Sequence, residues 1–110
     1  MEQTELEQFL DTGWMNGADL FFRGRIYRTE WCVDEGGIGS TTVFSWHAKK
    51  VSEKEYDDDF TDEEKKRWIC IYKNAESTEE GARLAFLRAP IFDGKSFWEV
   101  VNEIERLEHA

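Results

Sequence analysis

The chain is poor in the residues that usually make chemistry easy to read. Among 110 residues there are one proline, two cysteines and two histidines. Cys32 and Cys70 stand singly in the aromatic-rich runs Glu30-Trp31-Cys32-Val33 and Trp68-Ile69-Cys70-Ile71-Tyr72. That is the setting of small buried hydrophobes, and both thiols are expected to be reduced. Cys-x-x-Cys, His-Glu-x-x-His and Gly-x-Ser-x-Gly are all missing, so zinc, redox and serine-hydrolase chemistry lack their usual spacing. No run of about 18 apolar residues occurs, and the stretch from Met1 to Glu7 is acidic and periodic rather than basic then apolar. A cytoplasmic protein with no membrane contact is expected.

Positive charge is also scarce. Fourteen Lys and Arg face 24 Asp and Glu, giving a net charge of −10 and a pI near 4.6. Such a molecule repels nucleic acid and anionic membrane and attracts basic proteins over about 8 Å at physiological salt. A direct role on DNA or RNA is disfavoured, and a basic protein is the expected partner.

What is present describes a packed globule. The chain is 40% hydrophobic and 15% aromatic, enough for one core without disulfide or metal, so residues 1 to 110 are read as a single domain. Thr4 to Glu7 has the form of a capping box and predicts a short amino-terminal helix, stopped by Gly13 and Asn16-Gly17. From Leu20 to Val33 the apolar parity switches near Ile26-Tyr27, which predicts one long strand, bent at Gly24. Asp34 to Ser40 is a glycine-rich turn into an alternating strand. There His47 lies on the face opposite Phe44 and Trp46, and is read as solvent-facing. Trp68 to Tyr72, apolar on both parities, reads as the central strand.

Ser77 to Glu80 opens a helix that Pro90 ends, Asp93-Gly94 turns, and Ser96 to Glu99 caps a last helix. There Phe97, Val100, Val101, Ile104 and Leu107 form one apolar stripe. The expected fold is therefore α+β: a small, mainly antiparallel sheet of three or four strands (18 to 34, 41 to 51 and 67 to 73), covered on one face by carboxyl-terminal helices. The five tryptophans are expected to fill the space between the layers.

Several motif fragments fail on inspection. Ala89 to Ser96 ends in Gly-Lys-Ser like a P-loop, but Ala89 replaces the first glycine, Pro90 offers no N–H, and Asp93 would sit beside the phosphates. Asp57-x-Asp59-x-Thr61 begins like a calcium loop, but Asp62 stands where the glycine is needed and Trp68 where the bidentate glutamate belongs. No cofactor and no metal site follows from these fragments. Arg23, Arg25 and Arg28 beside Phe21, Phe22 and Tyr27 form a basic patch, read as the internal counter-charge of the acidic segment.

That acidic segment is the most telling feature. Between Glu53 and Glu64, eight acids surround Tyr56 and Phe60 with Lys54 as their only cation. Like charges at this density oppose compaction, and an aromatic anchor ringed by charge has the make-up of an interface hot spot. Glu99 and Glu103, four apart on the expected last helix, add a like-charge pair with little relief. The expected partner-binding residues are Tyr56, Asp57, Asp58, Asp59, Phe60, Asp62, Glu63, Glu64, Glu99 and Glu103.

The function expected is a small acidic binding or inhibitor protein, not an enzyme, most concretely a bacterial immunity protein against a nuclease-type toxin. A metal-dependent hydrolase or nucleotide-processing enzyme using clustered carboxylates, a phage-type mimic of DNA, and a structural subunit are the rival readings.

Overall fold

The computed structural model describes residues 1–47, 55–56 and 68–109. Helix α1 (Gln3–Asp11) leads through a 3₁₀ turn (Gly13–Met15) into β1 (Asn16–Phe22), β2 (Arg25–Val33) and β3 (Gly39–His47). The short β4 (Glu55–Tyr56) and the longer β5 (Ile69–Glu76) follow. Then come α2 (Glu79–Arg88), α3 (Phe97–Val100), a 3₁₀ turn (Val101–Glu103), β6 (Glu105–Arg106) and β7 (Glu108–His109). The architecture is α+β: a five-stranded antiparallel sheet of order β5-β3-β2-β1-β6, and a two-stranded parallel pair of β4 and β7.

The parity switch near Ile26 marks a chain reversal, not a bend. Arg23 (φ 46°) and Gly24 (φ 80°) form the two-residue turn of a β1–β2 hairpin. Positive φ at both central residues is the type I′ combination whose twist suits flanking strands. Asp93 (φ 56°) and Gly94 (φ 80°) repeat the device, closed by reciprocal N–H···O bonds between Phe92 and Lys95 of 2.9 and 3.0 Å.

The inner face of the sheet carries Ala18, Leu20, Phe22, Tyr27 and Val43, packed beneath Phe9, Trp14, Phe86, Phe92 and Phe97 in one continuous cluster. On β3 the buried positions are Thr41, Val43 and Ser45, while Phe44 is only half-buried. The side chain of His47, expected to face solvent, lies outside those described. The other face holds Ile26 and Leu107 with Phe21 and Trp68. It also holds Asp19, fully buried, whose Oδ1 and Oδ2 accept from Arg28 Nε and Nη2 at 2.7 Å each. The Arg28 guanidinium lies 5.0 Å from the centre of the Trp68 ring.

Other expectations are corrected as well. The segment read as the central strand is the edge strand β5: Ile69, Cys70 and Ile71 are all exposed, and the register slips between Val43 and Phe44. Apolar residues on both parities here mean two open faces, not two covered ones. Cys32 is exposed too; both thiols are free and stand at opposite ends of the sheet, far beyond disulfide reach.

Helix α1 is capped by Glu2 and Glu5 rather than by Thr4 and Glu7. The last helix stops after four residues, where the adjacent β-branched Val100 and Val101 and then Asn102 are poor helix formers. Its spacing still finds the core, since Phe97, Val100, Ile104 and Leu107 are all buried. The expected strand of 41 to 51 runs into residues outside those described.

Removing Arg28 leaves a carboxylate in a buried site without its bidentate guanidinium. Arg28→Ala is expected to lower unfolding free energy by about 3 kcal/mol, measured by urea denaturation at neutral pH. A cost near zero would show that Asp19 is held by other means.

Candidate functional site: an acidic surface around an exposed tryptophan

Successive helical residues point about 100° apart, so α3 sends Phe97 and Trp98 in different directions. Phe97 is fully buried against Phe9 (5.4 Å between ring centres), Phe92 (6.2 Å) and Phe86 (6.4 Å). Among the described residues Trp98 meets the edge of this cluster, at 5.4 Å and 77° from Phe97, and it is 50% exposed. The expectation that all five tryptophans fill the core fails here. The apolar stripe includes Phe97 and omits Trp98, so the spacing already set Trp98 off the buried face; the general expectation that a tryptophan is buried overrode it.

Two acids lie near Trp98 in sequence, Glu99 and Glu103. Glu99 folds back so that its Oε2 accepts from Ser96 N–H at 3.2 Å, completing a capping box that starts α3. Glu103, on the following 3₁₀ turn, accepts from Arg23 Nη2 at 3.2 and 3.4 Å. Arg23 Nη1 also donates to Asp93 Oδ2 at 3.3 Å, so one guanidinium ties together the two type I′ turns and the carboxyl-terminal segment. The expected like-charge pair is therefore not present: Glu99 and Glu103 no longer face each other on one helix, and each has its own partner. The hydrogen bond and charge of Glu103 raise the Arg23 pKa above its ordinary value. Burial raises those of Tyr27 and Tyr72, so none of these three groups titrates near neutral pH.

The basic patch is dispersed. Arg23 pairs with Asp93 and Glu103, Arg28 with Asp19, and Arg25 Nε donates to Ser45 Oγ at 3.2 Å. Among the described residues these groups hold the fold together; their expected pairing with the acidic segment falls on residues outside those described.

Of the other expected site residues, Tyr56 lies on β4, opposite His109 of β7. Asp57, Asp58, Asp59, Phe60, Asp62, Glu63 and Glu64 lie outside the described residues. Their flanks are placed: β7 follows Leu107 directly, and Trp68 packs beside Leu107 and Ile26. Tyr56 and Trp68 are thus both placed near Leu107, Tyr56 through the pairing of β4 with β7 and Trp68 by packing.

A cleft of about 500 Å³ opens between α1, β1 and β6, lined by Glu5, Gln8, Asn16, Asp19 and Arg106 among others. Its two carboxylates are engaged, Asp19 by Arg28 and Glu5 by the N–H of Glu2 at 3.3 Å, and Arg106 Nη1 donates to Gln8 Oε1 at 3.1 Å. Among the described residues no three of His, Cys, Asp and Glu form a group able to hold a metal ion. No helix there is long and apolar enough to cross a membrane. No protein-family model, curated protein or solved structure matches the chain.

Trp98 and Phe97 should separate surface from core. Phe97→Ala is expected to cost about 4 kcal/mol of stability and Trp98→Ala less than about 1 kcal/mol, both read from thermal and urea unfolding. Equal costs would make Trp98 a structural residue.

Proposed function

We propose that this chain is a small acidic binding protein that neutralises a basic protein partner, most concretely an immunity protein covering the cationic cleft of a nuclease-type toxin. The observation that carries this reading is Trp98, half exposed beside Glu99 on a helix whose other ring is sealed in the core. Leaving a tryptophan in water forgoes burial worth a few kcal/mol, a cost that contact with a partner would recover.

Tryptophan is the side chain most enriched in interface hot spots. Its face attracts Lys and Arg by about 1 kcal/mol or more once water is excluded. Glu99 and Glu103, near it in sequence, and the Asp57 to Glu64 run supply the steering field that brings a basic surface to the ring, a field reinforced by the net charge of −10. A cleft that holds nucleic acid must itself be cationic, which is why a nuclease suits this surface.

The test takes a nuclease-type toxin encoded beside this chain and measures inhibition and binding at rising salt. Inhibition is expected to be stoichiometric. Association should slow as salt rises from about 0.05 to 0.5 M. Trp98→Ala should weaken binding by about thirtyfold, roughly 2 kcal/mol, while reversal of Asp57, Asp58 and Asp59 to lysine should chiefly lower the association rate. Binding indifferent to all three changes would overturn the reading.

A further inference from the structure

We infer that the cleft between α1, β1 and β6 binds a small zwitterion of the free α-amino acid type, with its carboxylate on Arg106 and its ammonium group toward Glu5. Two glycines shape the cleft. A Cβ at Gly13, in the 3₁₀ turn, would stand 3.2 Å from Arg106 Nη2 and 3.5 Å from its Cζ, so a larger residue would push the guanidinium off the turn. Gly17 (φ 75°) is passed over by the β1–β2 register, between Asn16 opposite Glu30 and Ala18 opposite Thr29. A Cβ there would meet nothing within 4 Å, so this wall faces open space. The volume of about 500 Å³ lies within the roughly 300–1,000 Å³ of small-molecule sites.

The charges in the lining choose the ligand. Arg106 is fixed from two sides, by Nη1 donating to Gln8 Oε1 at 3.1 Å and by Nη2 lying against Gly13. Among the described residues its recorded acceptor is that neutral amide, so the guanidinium keeps donors and charge for a guest. Its planar fork matches a carboxylate in two parallel N–H···O bonds.

Two acids also line the cleft, with different consequences. Asp19 is neutralised by Arg28 and adds no net charge. Glu5 accepts from the N–H of Glu2 at 3.3 Å, a bond that leaves its charge in place. Glu5 and Gln8 stand three apart on α1 and share a face, with about 5–6 Å between their Cβ atoms. Gln8 holds Arg106, so the lining presents a cation and an anion about one helical turn apart. A simple anion on Arg106 would meet Glu5 and a net charge of −10, and a simple cation would meet Arg106. An amino acid satisfies both charges and is short enough to sit between them. Trp98, Glu99 and Glu103 do not line the cleft, so failure of either assignment leaves the other standing.

The test is titration of the isotopically labelled full chain with L-alanine, acetate and ethylamine in turn, read from backbone amide and Arg106 Nε–H chemical shifts. L-Alanine is expected to move the signals of Gly13, Gly17 and Arg106 with a midpoint on the order of 10⁻³ M. Acetate and ethylamine should each bind at least about tenfold more weakly. Arg106→Gln should weaken L-alanine at least about tenfold while near-ultraviolet circular dichroism stays unchanged. Glu5→Gln, a residue still able to close the capping box, should weaken L-alanine and leave acetate no weaker.

Absence of shifts at these residues up to about 0.1 M L-alanine overturns the inference. So does binding indifferent to Arg106→Gln, or acetate bound as tightly as L-alanine. Where Arg106→Gln unfolds the chain, Glu5→Gln decides: a loss for L-alanine that acetate does not share supports the site, and an equal effect on both overturns it.

Discussion

The fold turns on the aromatic cluster in which Phe97 meets Phe9, Phe86 and Phe92. Four residues cannot form a stable helix alone, because nucleation costs more than one turn of hydrogen bonds returns. α3 exists because its capping box satisfies the first N–H groups and because Phe97 is gripped by rings from α1, α2 and the Phe92 turn. The same grip joins the two ends of the chain, since α1 and the carboxyl-terminal segment share the cluster, and the amino group of Met1 donates to Ile104 C=O at 2.8 Å. Holding Phe97 inward fixes α3, and fixing α3 turns Trp98 and Glu99 outward. The candidate surface is therefore a consequence of core packing.

The opposite face of the sheet follows a different logic. There Asp19 and Arg28 face each other across the β1–β2 hairpin as direct register partners. A buried ion pair gains little net stability over an apolar pair, but it penalises every alternative pairing that would leave one charge alone. A slip of one residue between β1 and β2 would put Asp19 and Arg28 on opposite faces. The pair thus acts with the Arg23-Gly24 turn to set the register, on which the inward placement of Leu20, Phe22 and Tyr27 depends.

Much of this was legible in the sequence. The pattern of capped helices and alternating segments pointed to the α+β class, the Ser77 to Glu80 cap and Pro90 placed the second helix, and Asp93-Gly94 placed a turn. The spacing of Phe97, Val100, Ile104 and Leu107 identified buried residues correctly even though only the first two are in a helix, because burial depends on which side chains point inward and not on the backbone that carries them. Two of the failures share a cause. A parity switch is the same signal whether the chain bends or reverses, so the turn at Arg23, a residue that rarely takes positive φ, was hidden. An apolar run such as Ile69-Cys70-Ile71 reads alike in a central strand and at an exposed edge, because periodicity reports pattern and not neighbours. Trp98 was missed for another reason: the stripe left it out, but its residue type was taken as a sign of burial.

The negative character of the surface owes as much to the placement of the cations as to the number of acids. Arg23 and Arg28 are held by carboxylates of their own chain, while Arg25 donates to Ser45, Arg83 to Leu10 C=O and Arg106 to Gln8. Three of these five guanidinium groups thus have neutral acceptors among their recorded partners and serve as donors that fasten β2 to β3, α2 to α1 and β6 to α1. An arginine used in this way adds positive charge without being paired, in its hydrogen bond, to a carboxylate. A protein under selection for stability alone gains by placing lysines and arginines opposite its acids, because distributed pairing lowers self-repulsion. Among the described residues Arg25, Arg83 and Arg106 instead fasten the fold through neutral acceptors, an arrangement that suits the cationic partner proposed above.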